Sequence, residues 1–329
     1  MTEPVLTLIT GATGCIGANL VEAVTQHGWR VRALRRTTSS LRALEGLSYE
    51  SALGDVTDLD SLRAAMRGVQ VVFHAAAVAD YWRSGAELLY HVNVDGTRNV
   101  MQAALDCGVR RVVYTSSVAA LGQPVFGYAL DETAAFNLRP NEFHYGYSKV
   151  LAEQVVHEFV AQGLAAVIVN PAVVLGPRDV NLISGSIILE EKRRGIPVYP
   201  PGGVCVIDVA DVCAAQIVAA ERGRVGERYI LGGDNLWYRD LLTLTAEVVG
   251  RKPPRRALSR DMMRRLGSAA DRLQRMGLRL PANGDQLRFS AETLWFDSSK
   301  ARRELGLTTR PYREAAQRTY DWYRANGYL

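Results

Sequence analysis

Tyr145 and Lys149 carry the clearest chemistry in this chain, four residues apart in HYGYSKVLAEQVVHEF (144–159). Apolar residues at Val150, Leu151, Val155, Val156 and Phe159 follow a helical period. A four-residue step stacks the two side chains a turn apart on one helix face. A phenol beside a fixed ammonium has its anion stabilised, so its pKa is expected to fall from about 10 toward neutral pH. Such a group gives a proton to a substrate oxygen or takes one from it. Tyr147 lacks the partner, because Leu151 stands four residues after it. Taken alone, the spacing also describes an ordinary surface Tyr–Lys pair.

A second constellation lies near the start. Residues 5–10 (VLTLIT) read as a strand, GATGCIG follows, and residues 18–27 have helical apolar spacing. In that context Gly11 permits a tight turn, Gly14 lets backbone approach a pyrophosphate, and Gly17 allows close helix–strand packing. The helix start adds N–H donors and partial positive charge. A structural glycine turn without a ligand is the alternative. The next strand, 30–34, ends in Arg35-Arg36, with Thr37, Thr38, Ser39 and Ser40 behind them and no acid. An acid there receives a ribose 2′-hydroxyl and an arginine accepts a 2′-phosphate, so NADP(H) is expected over NAD(H). Two solvated arginines at a strand end are the plainer account.

Further strands are expected at 49–53, 69–74, 111–115 and 165–170, with a long helix over 87–107. Small residues Ala75, Ala76 and Ala77 follow the fourth strand, where a flat ligand can lie against backbone. Ser117, at the end of the fifth, can hydrogen-bond a carbonyl oxygen or simply cap a loop. The alternation implies an α/β fold with a doubly wound, Rossmann-type parallel sheet. Residues 1–175 read as the dinucleotide-binding domain and 176–329 as a smaller, mostly helical substrate lobe, with about 206–232 returning to the first. Within the lobe, PVYPPGG reads as irregular. After the last short strand at 229–231 the remainder reads as helices at 238–249, 259–276, 298–305 and 312–326 with loops.

Cys15, Cys107, Cys205 and Cys213 are scattered, with no C-x-x-C and no metal-ligand spacing. Reduced thiols, no metal and a cytoplasmic location are expected, since no leader pattern or membrane-spanning apolar run is evident. The net charge of +5 is uneven. Residues 251–288 hold eleven Lys/Arg against three Asp/Glu, while the rest carries 28 basic and 31 acidic residues. There Leu258, Met262, Met263, Leu266, Ala270, Leu273 and Met276 form an apolar face, with Arg260, Arg264, Arg265, Arg272 and Arg275 around it. One reading is an amphipathic helix that touches a membrane surface or an anionic substrate. The plainer and preferred one is a lobe helix with a solvated basic face. No motif supports nucleic-acid binding.

GATGCIG, GDVTD, HAAA, NVDGT, TSS, YGYSK, LGPRD and DVADV, in this order, make the chain resemble the extended short-chain dehydrogenase/reductase family, also called the NAD-dependent epimerase/dehydratase family. RRVVYTSSVAALG, VIVNPAVVLGPRD and GERYILGGDN are most similar to the dihydroflavonol-reductase-like and hopanoid-associated sugar epimerase-like branches. The resemblance implies an oxidoreductase whose Tyr145 is the acid/base, whose Ser117 orients the substrate oxygen, and whose Lys149 holds the nicotinamide ribose. It places Gly11, Gly14, Cys15, Ile16 and Gly17 at the pyrophosphate and Arg36, with Arg35, at the 2′-phosphate. Asp55 and Val56 would meet the adenine edge; Ala75, Ala76, Ala77, Thr115 and Pro171 would line the nicotinamide side, and Asn93 would support it. It also implies a homodimer built on helices 87–107 and 146–162.

Family likeness leaves the small-molecule substrate open between a carbonyl compound and a sugar. Nucleotide-sugar members tend to carry R-x-x-N-x-x-G-P, where this chain has Asn170 and Val173 before Gly176-Pro177. They often place a phosphate-binding arginine where Val204 stands, and valine offers no donor. Arg178, Arg288 or Arg302 remain as substitutes. A ketone or aldehyde reductase is preferred over a nucleotide-sugar epimerase or dehydratase, and a sterol- or lipid-type 3-hydroxy dehydrogenase is the third reading. A cofactor-binding sensor is disfavoured by the intact Ser117, Tyr145 and Lys149. Phe126, Tyr128, Phe143, Tyr199 and Trp237 are candidates for a pocket lining or for core.

Overall fold

In the computed structural model, which describes residues 4–82, 84–124, 127–276, 278 and 284–329, strand–helix alternation builds a seven-stranded parallel sheet. β1 (Leu6–Thr10) runs through the glycine turn into α1 (Cys15–Gln26), then β2 (Arg30–Arg35) and β3 (Glu50–Leu53) extend the sheet to one side. After α2 (Leu59–Ala65), β4 (Val71–His74) returns to the other side of β1. α3 (Ala86–Tyr90), a π-helical turn (His91–Asp95), α4 (Gly96–Asp106), β5 (Arg111–Thr115), α5 (His144–Ala161) and β6 (Ala166–Pro171) follow.

β7 (Val173–Leu175), α6 (Ser186–Arg194), β8 (Val198–Tyr199) and β9 (Gly203–Asp208) then leave the main sheet. α7 (Val209–Arg222) packs back on α1, and β10 (Arg228–Leu231) becomes the edge strand beside β6. The last segments are β11 (Asp234–Trp237), α8 (Tyr238–Val249), β12 (Arg256–Ala257), α9 (Arg260–Arg275), α10 (Gly284–Phe289), β13 (Thr293–Leu294), α11 (Ser299–Leu305) and α12 (Tyr312–Ala325). β9 pairs with β7, β11 and β13 in a second, small sheet.

The main strands are apolar on both faces because helices cover both. Val71 and Phe73 face the layer with α1 and α7, while Val72 faces the layer with α2, α4 and α5. The chain reverses its winding between β1 and β4, so their carboxyl ends diverge and leave a crevice.

Three features depart from the sequence reading. The expected helix over 87–107 is interrupted by the π turn that carries Asn93. The PVYPPGG stretch contains β8, paired with β12. The lobe holds β11, β12 and β13 besides its helices, because strands of two to four residues show too little alternation to be read. Among the described residues no helix is long and apolar enough to cross a membrane.

Candidate active site

A cleft of about 870 Å³ opens at the β1/β4 crevice and reaches into the lobe. Gly11 sits at φ +68°, and a Cβ there would lie 2.6 Å from the backbone of Ala76. A Cβ at Gly17 would lie 2.1 Å from the carbonyl oxygen of Gly11. Both glycines are therefore required by close backbone approach. α1 begins at Gly14 with no side-chain cap and no acid in its first turn, so its N–H donors face the cleft uncompensated. Arg36 lines the same cleft, and its guanidinium has no side-chain partner among the described residues. This donor set fits a dinucleotide phosphate. Arg35 points elsewhere and donates to Ser51 Oγ at 2.8 Å.

Tyr145 enters the cleft from the first turn of α5. Gly146 lets that turn press on the loop bearing Ser117, since a Cβ there would stand 2.6 Å from the Ala119 carbonyl oxygen. Ser117 takes the capping role, one of the two that the sequence leaves open. Its Oγ accepts from Ala119 N–H at 3.1 Å, capping the short 3₁₀ turn, and its side chain borders the cleft with the Tyr145 phenol.

The expected fall of the phenol pKa is not what this site produces. Burial holds Tyr145 above the usual tyrosine value, with Ser117 working against the rise. Lys149 is buried and donates instead to the Thr115 carbonyl at 3.0 Å and the Tyr114 hydroxyl at 3.4 Å. Burial brings its ammonium down to about 8, and Glu153 partly opposes that shift.

Glu153, one turn further along α5, was not singled out by the sequence. Its carboxylate accepts from Ser116 Oγ at 2.5 Å, Asn170 Nδ2 at 2.6 Å and Arg228 Nη1 at 3.3 Å. Asn170 also donates to the Ser117 carbonyl at 3.0 Å. One buried acid thus anchors the strand end that carries Ser117. Asn93 ties the loop after β4 to α5: Oδ1 accepts from Val78 N–H at 2.8 Å, and Nδ2 donates to Ser148 Oγ at 3.1 Å. Ser148 in turn donates to the Tyr145 carbonyl at 2.7 Å.

Ala75, Ala77, Thr115 and Pro171 line the cleft with Gly11, Gly14, Cys15, Ile16 and Gly17. Ala76 sits behind its rim, where its N–H donates to Thr10 Oγ1 at 3.3 Å. Asp55 binds Thr57 through Oδ1, and Val56 is buried against Gly96; neither borders the cleft. Of the pocket candidates, Phe143 lines the cleft, Tyr128 is exposed, Trp237 meets Trp295 edge to face, and Tyr199 lies outside the lining. Phe126 lies outside the described residues.

The aromatic wall comes largely from residues the sequence did not mark. Tyr81 stacks on Tyr145 at 5.4 Å, and Phe143 joins Tyr81 to Phe289 at 5.4 and 4.8 Å. Tyr81-Trp82 directly follow HAAAVAD, and that adjacency to the cofactor strand was the available signal. Arg178 is drawn to Glu22 and the carbonyls of Ala43 and Glu45, and Arg288 to Asp271 and Asp285. Arg302 reaches toward Thr309. Among the described residues that line the cleft, Arg36 and Lys149 are the only cations.

A model of the NAD dependent epimerase/dehydratase family matches residues 7–232. A Synechocystis sp. protein provisionally named dihydroflavonol 4-reductase is 36% identical over 98% of this chain and 95% of its own length. The sterol demethylase protein B of Methylococcus capsulatus is 36% identical over 98% of this chain and 99% of its own. The solved structure of a nucleoside-diphosphate-sugar epimerase from Pseudomonas aeruginosa superposes with a TM-score of 0.82 at 28% identity, covering 99% of both chains. The chain thus belongs to the NAD dependent epimerase/dehydratase family, the extended short-chain dehydrogenase/reductases, and is an NAD(P)-dependent enzyme of that kind.

Proposed function

We propose that this protein reduces a ketone or aldehyde, carried on a largely apolar molecule, to the alcohol with NADPH. The observation that carries the reading is the make-up of the cleft. Ser117 and Tyr145 meet beside an aromatic wall, and Arg36 is the one arginine among the described lining residues. A nucleoside diphosphate needs charged or N–H donors at its second phosphate pair. Val204 is buried in β9, and the three arginines considered as substitutes are engaged elsewhere.

When bound, the cofactor supplies the hydride. The Gly11–Gly17 turn and the start of α1 would hold its pyrophosphate, Arg36 its 2′-phosphate, and Lys149 its nicotinamide ribose. Ser117 donates to the carbonyl oxygen and Tyr145 protonates it as charge develops there. A phenol held above its ordinary pKa is in the acid form at neutral pH, which is the form that a reduction uses. The aromatic wall excludes water from the oxygen while this happens.

Nicotinamide fluorescence titrations with NADPH and NADH, followed by ketones, aldehydes and nucleotide sugars, test the reading. The expected result is tighter NADPH binding and oxidation by a carbonyl compound. Arg36→Ala should weaken NADPH by roughly 10- to 100-fold, the loss of a charge-assisted bond, and leave NADH unchanged. Preferred NADH with turnover of a nucleotide sugar alone would overturn it.

A further inference from the structure

The apolar face of α9 is broader than the protein body uses. Met263, Gly267 and Ala270 are buried, and Gly267 closes on α10, where its Cβ would lie 3.0 Å from the Gly284 carbonyl oxygen. Arg288 of α10 fixes Asp271 of α9 at 2.8 Å. That seam fixes which way the helix faces. Met262, Leu266 and Leu273, with Met276 and Leu278 beyond the helix end, remain 37% to 76% exposed.

Positions 262, 266, 269, 273 and 276 advance by four and three, so they fall on one line along the outer side. Arg265 and Arg272, seven residues apart, share the flank of that line, while Arg264 lies on the opposite side of the helix. All three are exposed, and no described residue pairs with their guanidinium groups. Arg255 and Arg256 are exposed just before the helix, and Asp261 is the acid on its outer side.

An apolar stripe one side chain wide, bordered by unpaired guanidinium groups, asks for a partner that is apolar within and anionic at its surface. A second copy of the chain fits poorly, because it would set the same arginines against one another with Asp261 alone to offset them. We propose that α9 docks the protein peripherally on an anionic lipid bilayer. The stripe enters the acyl boundary, and Arg265 and Arg272 on its flank meet headgroup phosphates. α10, packed on α9, also places Gln286 and Phe289 in the cleft wall, so the docking surface and the cleft share one structural unit. The proposal stands independently of the carbonyl-reductase reading.

Co-sedimentation of the full chain with vesicles tests it. Phosphatidylcholine vesicles with phosphatidylglycerol should bind the protein, vesicles without it should not, and added salt should release it. Arg265→Ala with Arg272→Ala should lower the partition coefficient about 30-fold. Leu266→Gln with Leu273→Gln should abolish binding, with NADPH affinity and circular dichroism unchanged. Failure of the parent chain to bind the anionic vesicles at low salt would overturn the proposal. So would equal binding by the leucine variant, or a concentration-dependent dimer that the leucine changes dissolve.

Discussion

Glu153→Gln separates charge from shape at the buried acid beneath Ser116 and Asn170. The amide keeps the outline of the carboxylate, yet one of its two ends donates where Ser116, Asn170 and Arg228 now all donate to Glu153. A single unmet buried donor costs about 1–3 kcal/mol, so a modest loss of stability is expected. The electrostatic consequence is larger. Lys149 and Glu153 stand one helical turn apart on α5; at roughly 6 Å and an effective dielectric of about 20, their attraction is about 3 kcal/mol. Burial already brings Lys149 down to about 8, and Glu153 is what resists a further fall. The ammonium is charged below that pH, and the donation to ribose hydroxyls proposed for it is lost as pH rises through it. Without the Glu153 charge the loss should begin earlier, moving the midpoint of NADPH affinity against pH down by roughly two pH units. Fluorescence titrations across pH on both proteins measure it, with Glu153→Asp as the variant that should restore the profile in part. A folded Glu153→Gln protein whose midpoint is unmoved or higher would refute the electrostatic argument.

Tyr145→Phe should cut turnover by about 10²–10⁴ while NADPH affinity and the unfolding midpoint stay put; steady-state kinetics showing near-normal turnover would remove the phenol as the acid. Gly17→Ala drives a methyl group to 2.1 Å from the Gly11 carbonyl oxygen. The glycine turn must shift at a cost of about 1–3 kcal/mol, and parent-like NADPH affinity would show that the turn does not hold the pyrophosphate. His74 lies buried between Thr10 Oγ1 at 2.7 Å and Thr97 Oγ1 at 3.0 Å, and burial, with Lys149 nearby, lowers its pKa to about 3. Since the folded pKa lies below the unfolded one, this stability is complete above about pH 6.5 and declines as pH falls toward 3. Urea unfolding near pH 4.5 should show a loss of roughly 2–3 kcal/mol from this residue. A His74→Asn protein with the same pH slope as its parent would contradict that assignment.

What the sequence disclosed and what it hid follow from the kind of signal each residue leaves. The parallel sheet was readable because β1, β4, β5 and β6 are buried on both faces and so are mostly apolar. Gly11 and Gly17 were readable because backbone collisions leave no substitute. Tyr145 and Lys149 showed their spacing, but not that the lysine would turn to Thr115 and Tyr114, since the tertiary fold decides which carbonyl lies within reach. The Arg35-Arg36 pair illustrates a period that was there to be used. Consecutive strand residues face opposite ways, so one of the two had to leave the cleft, and Arg35 does so to reach Ser51 on the neighbouring strand. Tyr81, Trp82 and Phe289 were hidden because two stand in a loop and the third on a six-residue helix, neither long enough to show a period.

The most consequential residues lay between these cases. Asn93 fell inside an expected continuous helix, yet its role depends on the π turn that interrupts it and brings the amide onto Val78 and Ser148. Glu153 repeats the four-residue step from Tyr145 to Lys149 once more, so the helix period extends the line of polar groups by another turn. What periodicity does not carry is the sign of a residue's surroundings: whether a helix face meets core, cleft or water. α9 shows the same limit from the other direction. Its apolar residues were all identifiable, but the division between Met263 and Ala270, which the body covers, and Met262, Leu266 and Leu273, which it leaves bare, is set by the seam with α10. A stripe that the fold leaves bare must be covered by something else or persist as exposed apolar surface, and the arginines beside it select the chemistry of the cover.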